Sequence, residues 1–360
     1  MSPIRVIVVS LFVAFGASTR AHAECPIQIP TVPIGNPGNA ADTRAMNDGT
    51  TGYGSVAYTY YIASNEVTNA QYAAFLNAVA ATDTNGLYEP DMATSFGGII
   101  RSGASGSYTY AVVSGRANNP VNYVSFWDAC RFANWLHNGQ PAGAQDSSTT
   151  EDGAYTLTVT GIVNNTIVRN ANWQWAVASE NEWYKAAFHQ PAAQGGDSDD
   201  YWLYPIQSNT ISTTQANYNN VIGNTIPVGS YMPSYYGAFD MAGNLWEWNE
   251  GIMNIAGRCM KGGAFSSDPF NTAANIRSNN SPMINHRGHG FRVSTLAPPP
   301  APICVGDLNG DNVVNTFDLT RFLGLFGTTV PTADPGDFNC DGSVNTADLT
   351  IFLGRFGGVC

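Results

Sequence analysis

The densest chemistry in the chain lies near its end. Asp307, Asn309, Asp311, Val313, Asn315 and Asp318 occupy positions 1, 3, 5, 7, 9 and 12 of one twelve-residue segment. That spacing suits a calcium loop, in which side-chain oxygens at positions 1, 3, 5, 9 and 12 and the backbone carbonyl at position 7 surround a hard cation. The same order returns thirty residues later with Asp337, Asn339, Asp341, Ser343, Asn345 and Asp348. Three carboxylates per loop repel one another until a cation sits among them, so calcium is the expected ligand and stabiliser. Gly342 stands at the sharp-turn position 6 of the second loop, and Asn312 takes that place in the first. Asparagine tolerates the left-handed backbone better than most residues.

Elsewhere the reactive side chains are sparse, because only 12% of the residues are charged. Glu247 stands between Trp246 and Trp248, and in an extended run the two rings share one face while the carboxylate takes the other. Arg292, in the segment His289–Val293, reads as a buried charge that needs an acidic partner or several carbonyls. His286 and His289 are three apart and would meet on one helical turn, but with no further acid or histidine nearby they read as polar loop residues. Asp128 and Glu182 fall on predicted helix faces, and nothing in their spacing makes them a catalytic pair. No glycine-rich phosphate motif, Gly-x-Ser-x-Gly elbow or Cys/His dyad occurs.

The elements that would carry these residues are partly legible. Helices are expected from Thr68 to Val79, with Thr68 as N-cap, from Ser125 to Leu136 and from Ser179 to Phe188, the first two with apolar residues at helical spacing. Ser179 and Glu182 suit a capping box. Tyr108–Val113 and Tyr155–Val159 read as strands, and the remainder as short strands and long loops. Three helices scattered through irregular β structure predict an α+β domain. Further helices are expected after the calcium loops, at Leu319–Phe326 and Leu349–Phe356. Segments 306–327 and 336–357 form an internal repeat, the mark of a duplicated supersecondary unit.

Four parts follow from this reading. Residues 1–23 form an export signal, with Arg5, an apolar run from Val6 to Gly16 and the small-x-small site Ala21-His22-Ala23. Residues 24–296 form the large domain, 297–303 a proline-rich spacer, and 304–360 the repeat. The apolar run is too short to span a bilayer, so the mature protein is expected to be secreted, periplasmic or on the cell surface, without a membrane span. Export predicts disulfides among Cys25, Cys130, Cys259, Cys304, Cys340 and Cys360. Cys130 with Cys259, and two of the last three with each other, are the favoured pairs. A formal net charge of −12 argues against nucleic-acid binding, which needs a basic footprint. From Cys304 onward seven aspartates, no glutamate and two arginines concentrate that negative charge.

Six segments of the large domain, in order, resemble the formylglycine-generating-enzyme (sulfatase-modifying-factor) family. They are EVTNAQYAAFL (66–76), NPVNYVSFWDACRFANWL (119–136), ASENEWYKAAF (178–188), GAFDMAGNLWEWNE (237–250), MKGGAF (260–265) and HGFRV (289–293). The resemblance implies a variant of the C-type lectin fold. It also implies a structural calcium held by side chains at Asp240 and Glu247 and carbonyls at Gly243 and Leu245. A second family calcium would use Asn217 and the Tyr218 carbonyl, its other ligands unassigned. Members that oxidise a sulfatase cysteine hold copper with two cysteines, and alignment on Lys261–Phe265 places Ser267 and Thr272 there. Hydroxyls do not replace thiolates toward a soft Cu(I) ion, so neither copper nor that oxidation is expected. The repeat resembles the small, all-α dockerin type of calcium-binding pair. That implies a cohesin-like partner or cell-surface assembly, although Thr316-Phe317 and Thr346-Ala347 depart from the usual recognition pair. The expected function is a lectin-like module for a glycan or protein, tethered by its tail. The alternative is an oxidoreductase of the formylglycine-generating or nonheme-metal type with an altered centre.

Overall fold

A computed structural model of the protein describes residues 26–254, 256–297, 306–329, 336–338 and 343–358. The expected signal peptide, the spacer beyond Ala297, Cys25, Cys304, Cys340, Cys360, Asn339 and Asp341 lie outside the described residues. Among those described, no helix is long and apolar enough to cross a membrane.

Among the described residues, four helices belong to the large unit: α1 (Asn69–Val79), α2 (Phe126–His137), α3 (Val159–Val163) and α4 (Glu180–Phe188). Three of them open with a reciprocal capping box, Thr68 with Gln71, Ser125 with Asp128 and Ser179 with Glu182. Each box satisfies two backbone N–H groups that the first turn would leave orphaned. The strand expected at Tyr155–Val159 does not form, and α3 begins at its last residue. Thr158 accepts a hydrogen bond from Gly161 N and starts a helical turn, while Tyr155 sends its hydroxyl to Glu250 at 2.5 Å. Five alternating residues could not outweigh that local cap.

The strands are β1 (Thr31–Ile34), β2 (Tyr60–Ala63), β3 (Ile99–Ser102), β4 (Thr109–Val112) and β5 (Trp175–Val177). They continue with β6 (Trp246–Asn254), β7 (Gly257–Lys261), β8 (Ser278–Asn280), β9 (His289–Phe291) and β10 (Val293–Thr295). One sheet runs β1-β2-β10-β5, all antiparallel; another runs β8-β7-β6-β9, with β6 and β9 parallel; β3 and β4 form a hairpin. The fold is thus mixed α and β. Only Arg292 separates β9 from β10, so the chain leaves one sheet and enters the other across this residue.

The core sits where α1 and α2 meet the sheets. Tyr72 and Phe75 of α1 meet Phe132 and Trp135 of α2 with ring centroids 5.2–6.0 Å apart, and Phe291 closes on Phe132 at 5.4 Å. Trp248 is fully buried, and its indole N–H donates to the Val124 carbonyl at 3.0 Å. Side chains on β7 alternate. The Arg258 guanidinium lies over Phe126 and Trp127 of α2, whereas Cys259 contacts Glu180 of α4 at 3.3 Å and Lys261 lies over Tyr184. Cys130 belongs to the α2 side, packed in one cluster with Met260. The expected Cys130–Cys259 disulfide is therefore not formed; both thiols are free and buried. The period-2 pleat points Cys259 away from α2.

In the repeat, α5 (Thr316–Leu325) and α6 (Thr346–Leu353) begin three residues earlier than expected. Asn315 with Asp318, and Asn345 with Asp348, form capping boxes there. Phe322 stacks with Phe338 and Phe352 at 5.7 and 5.6 Å. The two halves clasp each other: Gly327 N donates to Val344 O and Val344 N to Thr328 O, while Gly357 N donates to Val314 O and Val314 N to Gly358 O.

Candidate functional site

In the first acidic loop, one carboxylate oxygen from each of Asp307, Asp311 and Asp318 lies within 4.8 Å of the others. Calcium–oxygen contacts of roughly 2.4 Å place opposite ligands roughly 4.8 Å apart, so this donor set fits that cation. Backbone N–H groups of Gly310 and Asp311 donate to Asp307 Oδ1, and Asn312, at φ 66°, donates to Asp307 Oδ2. These bonds curl the loop and hold the Asp307 carboxyl below its ordinary range, against the opposing effect of burial, the largest single influence. Asn309 and Asn315 stand in the same turn, Asn309 accepting from Asp311 N and Asn315 from Phe317 N. The Val313 carbonyl accepts from Asn315 Nδ2. Of the second donor set, Asp337, Ser343, Asn345 and Asp348 fall within the described residues; Asn345 N donates to Asp348 Oδ2 at 2.9 Å.

The large unit carries a buried acidic cluster. Arg292 donates from Nε and Nη2 to the two oxygens of Glu247, both at 2.6 Å, and Trp183 Nε1 adds a third bond at 2.8 Å. The guanidinium also reaches the carbonyls of Ala63 and Phe239, so Arg292 finds both kinds of partner expected of it. Glu247 is as buried as the neighbouring Trp248. Glu66, to which the sequence alone assigns no site role, lies beneath Asn244 and Leu245 and accepts from both. Its carboxyl is pushed well up by burial and then by Asp240 and Glu247. Burial likewise lifts Asp240 to about 6, although Gly229 N donates to it. Three carboxyls thus share one guanidinium. A divalent cation near Asp240, Gly243, Leu245 and Glu247 would answer that excess, and Glu247, with three donors on roughly four lone-pair sites, retains little capacity for it.

At Ser267 and Thr272, which the resemblance places at the family's copper positions, the hydroxyls are already engaged locally. Ala264 N donates to Ser267 Oγ at 2.9 Å, and the buried Thr272 Oγ1 donates to Pro269 O at 2.8 Å. No described sulfur replaces them. Burial pushes the Cys259 thiol up to about 12, with Glu180 adding to it, and burial drives Cys130 well above its ordinary value. Neither is a thiolate at neutral pH, and they face opposite sides of β7. The residues present do not fit a Cu(I) centre.

His286 and His289 do approach, with ring centroids 4.9 Å apart. Burial, and next His286, press His289 down to about 3, so it stays neutral. Gly288 N donates to His286 Nδ1, which leaves the proton of neutral His286 on Nε2. The pair therefore presents one bare nitrogen, His289 Nδ1, which is buried without a partner; that is poor chelate geometry. Asp128 caps α2, and Glu182 pairs with Arg169, which also bonds Glu250. The two are not brought together as a catalytic pair.

Comparison with known proteins matches residues 31–296 to the sulfatase-modifying factor enzyme 1-like domain. A formylglycine-generating enzyme of Streptomyces coelicolor is 23% identical over 280 residues, spanning 66% of this chain and 78% of that protein. Among solved structures, Treponema denticola variable protein 1 superposes with a TM-score of 0.50 at 20% identity, over 76% of this chain and 99% of that one. CarF gives 0.49 at 20% identity over 75% and 99%. PvdO from Pseudomonas aeruginosa gives 0.43 at 19% over 74% and 92%.

Proposed function

The chain belongs to the sulfatase-modifying factor enzyme 1-like domain family, and from that premise we propose that it is a binding module without the family's oxidase chemistry. In this reading the large unit is a variant of the C-type lectin fold, exported and tethered by a dockerin-like calcium-binding tail. One observation carries it: the hydroxyls of Ser267 and Thr272, which the resemblance aligns with the family's copper-binding cysteines, are engaged with neighbouring backbone. Alcohols do not grip a soft monovalent ion.

Calcium would supply charge neutralisation and loop rigidity. Asp307, Asn309, Asp311, Val313, Asn315 and Asp318 would hold one ion; Asp337, Asn339, Asp341, Ser343, Asn345 and Asp348 would hold another. In the large unit, the bonds from Arg292 and Trp183 to Glu247 leave the set Asp240, Gly243, Leu245 and Glu247 a poor fit, and no third ion is proposed there. The exposed Phe317 on α5 would join a tail surface for a cohesin-like protein.

Elemental analysis of the purified chain tests the reading together with an aldehyde assay on a Cys-x-Pro-x-Arg peptide after copper loading. Calcium alone and no aldehyde is the expected result. Turnover would establish the oxidoreductase alternative, which the likeness to the Streptomyces enzyme favours. A calcium-dependent pull-down with cohesin-like bait tests the tail, and N-terminal sequencing at Glu24 tests export.

A further inference from the structure

A cavity of about 300 Å³ opens where the segment Pro26–Ile29 crosses the end of α2 and the start of β5. Trp175, half-buried and packed against the core, lines its wall, and Gln28, Gln174 and His137 supply polar groups. Ile27 and Leu136 add apolar surface. No aspartate, glutamate, lysine or arginine lines it among the described residues.

We propose that this cavity receives an uncharged saccharide unit, with Trp175 as the stacking platform and Gln28, Gln174 and His137 as hydroxyl partners. The proposal rests on the binding-module reading only for its ligand class, and it assigns a place on the surface far in sequence from Ser267 and Thr272.

The lining decides the chemistry by exclusion. A charged guest would lose hydration without gaining a counter-charge. A hydrocarbon guest would cover the carboxamides and leave them unpaired, at a cost of roughly 1–3 kcal/mol each. A sugar ring meets both demands. Its C–H face lies against an indole, and each hydroxyl both donates and accepts, as a carboxamide does.

The backbone disfavours an extended peptide in the same place. An added strand needs a free row of N–H and C=O groups. Here Ile27 N donates to Gln140 Oε1 at 2.7 Å, and Gln140 Nε2 donates to Ile27 O at 2.9 Å. Gln140 holds a left-handed φ of 63° to do so, anchored by its own N–H on Trp135 O. The cavity wall is therefore built before any ligand arrives. Gln174 N is likewise donated to His137 Nδ1 at 3.0 Å. Burial lowers the His137 pKa, so the neutral ring offers Nε2–H as a donor. A neighbouring cavity of about 330 Å³, beside Ser64–Gln71, contains no aromatic platform.

The test is calorimetry on the full chain with maltotriose, cellotriose, xylotriose and N,N′-diacetylchitobiose, using sialyllactose as the charged control. At least one neutral probe should bind saturably and keep binding in EDTA. Gln174→Ala, Gln28→Ala and Trp175→Ala should each weaken it roughly tenfold or more, about 1.4 kcal/mol. If Trp175→Ala fails to fold, the two glutamine variants, with unchanged melting temperatures, carry the test. The proposal falls if no neutral probe binds, if sialyllactose binds better, or if the variants leave affinity unchanged. It also falls if a neutral peptide displaces the bound sugar. A blank here with calcium alone in the metal analysis removes the cavity assignment and leaves the binding-module reading; peptide turnover would do the reverse.

Discussion

Arg292 ties three parts of the molecule together with one planar group: Glu247 on β6, Ala63 on β2 and the Phe239 carbonyl. Removing it would leave Glu247 buried and uncompensated beside Glu66 and Asp240. Arg292→Met should therefore cost about 3–5 kcal/mol in urea unfolding; a loss under about 1 kcal/mol would mean that the cluster carries its charge some other way. A second residue sets a pH dependence. His189 is buried, hydrogen-bonded to Tyr236 at 2.8 Å. Burial first, and Lys185 next, depress its pKa to about 4. In the unfolded chain it returns to about 6.5, so between those values the unfolded state binds the extra proton. The stability it supports should be complete above pH 6.5 and decline as pH falls through 4. His189→Gln should flatten that part of a melting-temperature profile, and an unchanged slope would assign it to another group. A buried charge at Arg292 was legible from its scarce company, but the identity of its partner was not, because 45 residues separate it from Glu247.

Elements divide the same way. The three capped helices were readable because a cap and its hydrophobic stripe lie within a few residues of each other. Strands β9 and β10 were not, since three-residue strands exist only through their neighbours. Trp248→Ala, near the start of β6, should cost about 3–5 kcal/mol by cavity formation, seen as an earlier denaturant midpoint. In the tail, each loop leans on the chain that follows the other helix, Val314 on Gly357 and Gly358, and Val344 on Gly327 and Thr328. Ending the chain at Arg355 should thus disable the first loop, although its own ligands are untouched. Terbium luminescence should then report at most one site; two undiminished sites would show that the loops form independently.

For the molecule as a whole, the low charge content and the acidic tail predict a strong response to calcium. If the loops bind as proposed, calcium at a hundredfold excess over Kd adds about 2.7 kcal/mol to the unit it binds. Calorimetry should show a transition that EDTA lowers, and Asp307→Ala should reduce the shift. A melting profile indifferent to chelator would rule out calcium as the tail's organiser.

Taken alone, the sequence determined where the three capped helices of the large unit start, the repeated acidic spacing and the hydroxyls at 267 and 272. All of these are local: their cause lies within a dozen residues. Tertiary structure decided that Cys130 and Cys259 stand apart, that Glu66 joins Glu247 and Asp240, and that Gln140 shapes a cavity against Ile27. Each depends on which face of a strand meets which helix, and that choice is made only when distant segments exclude water together.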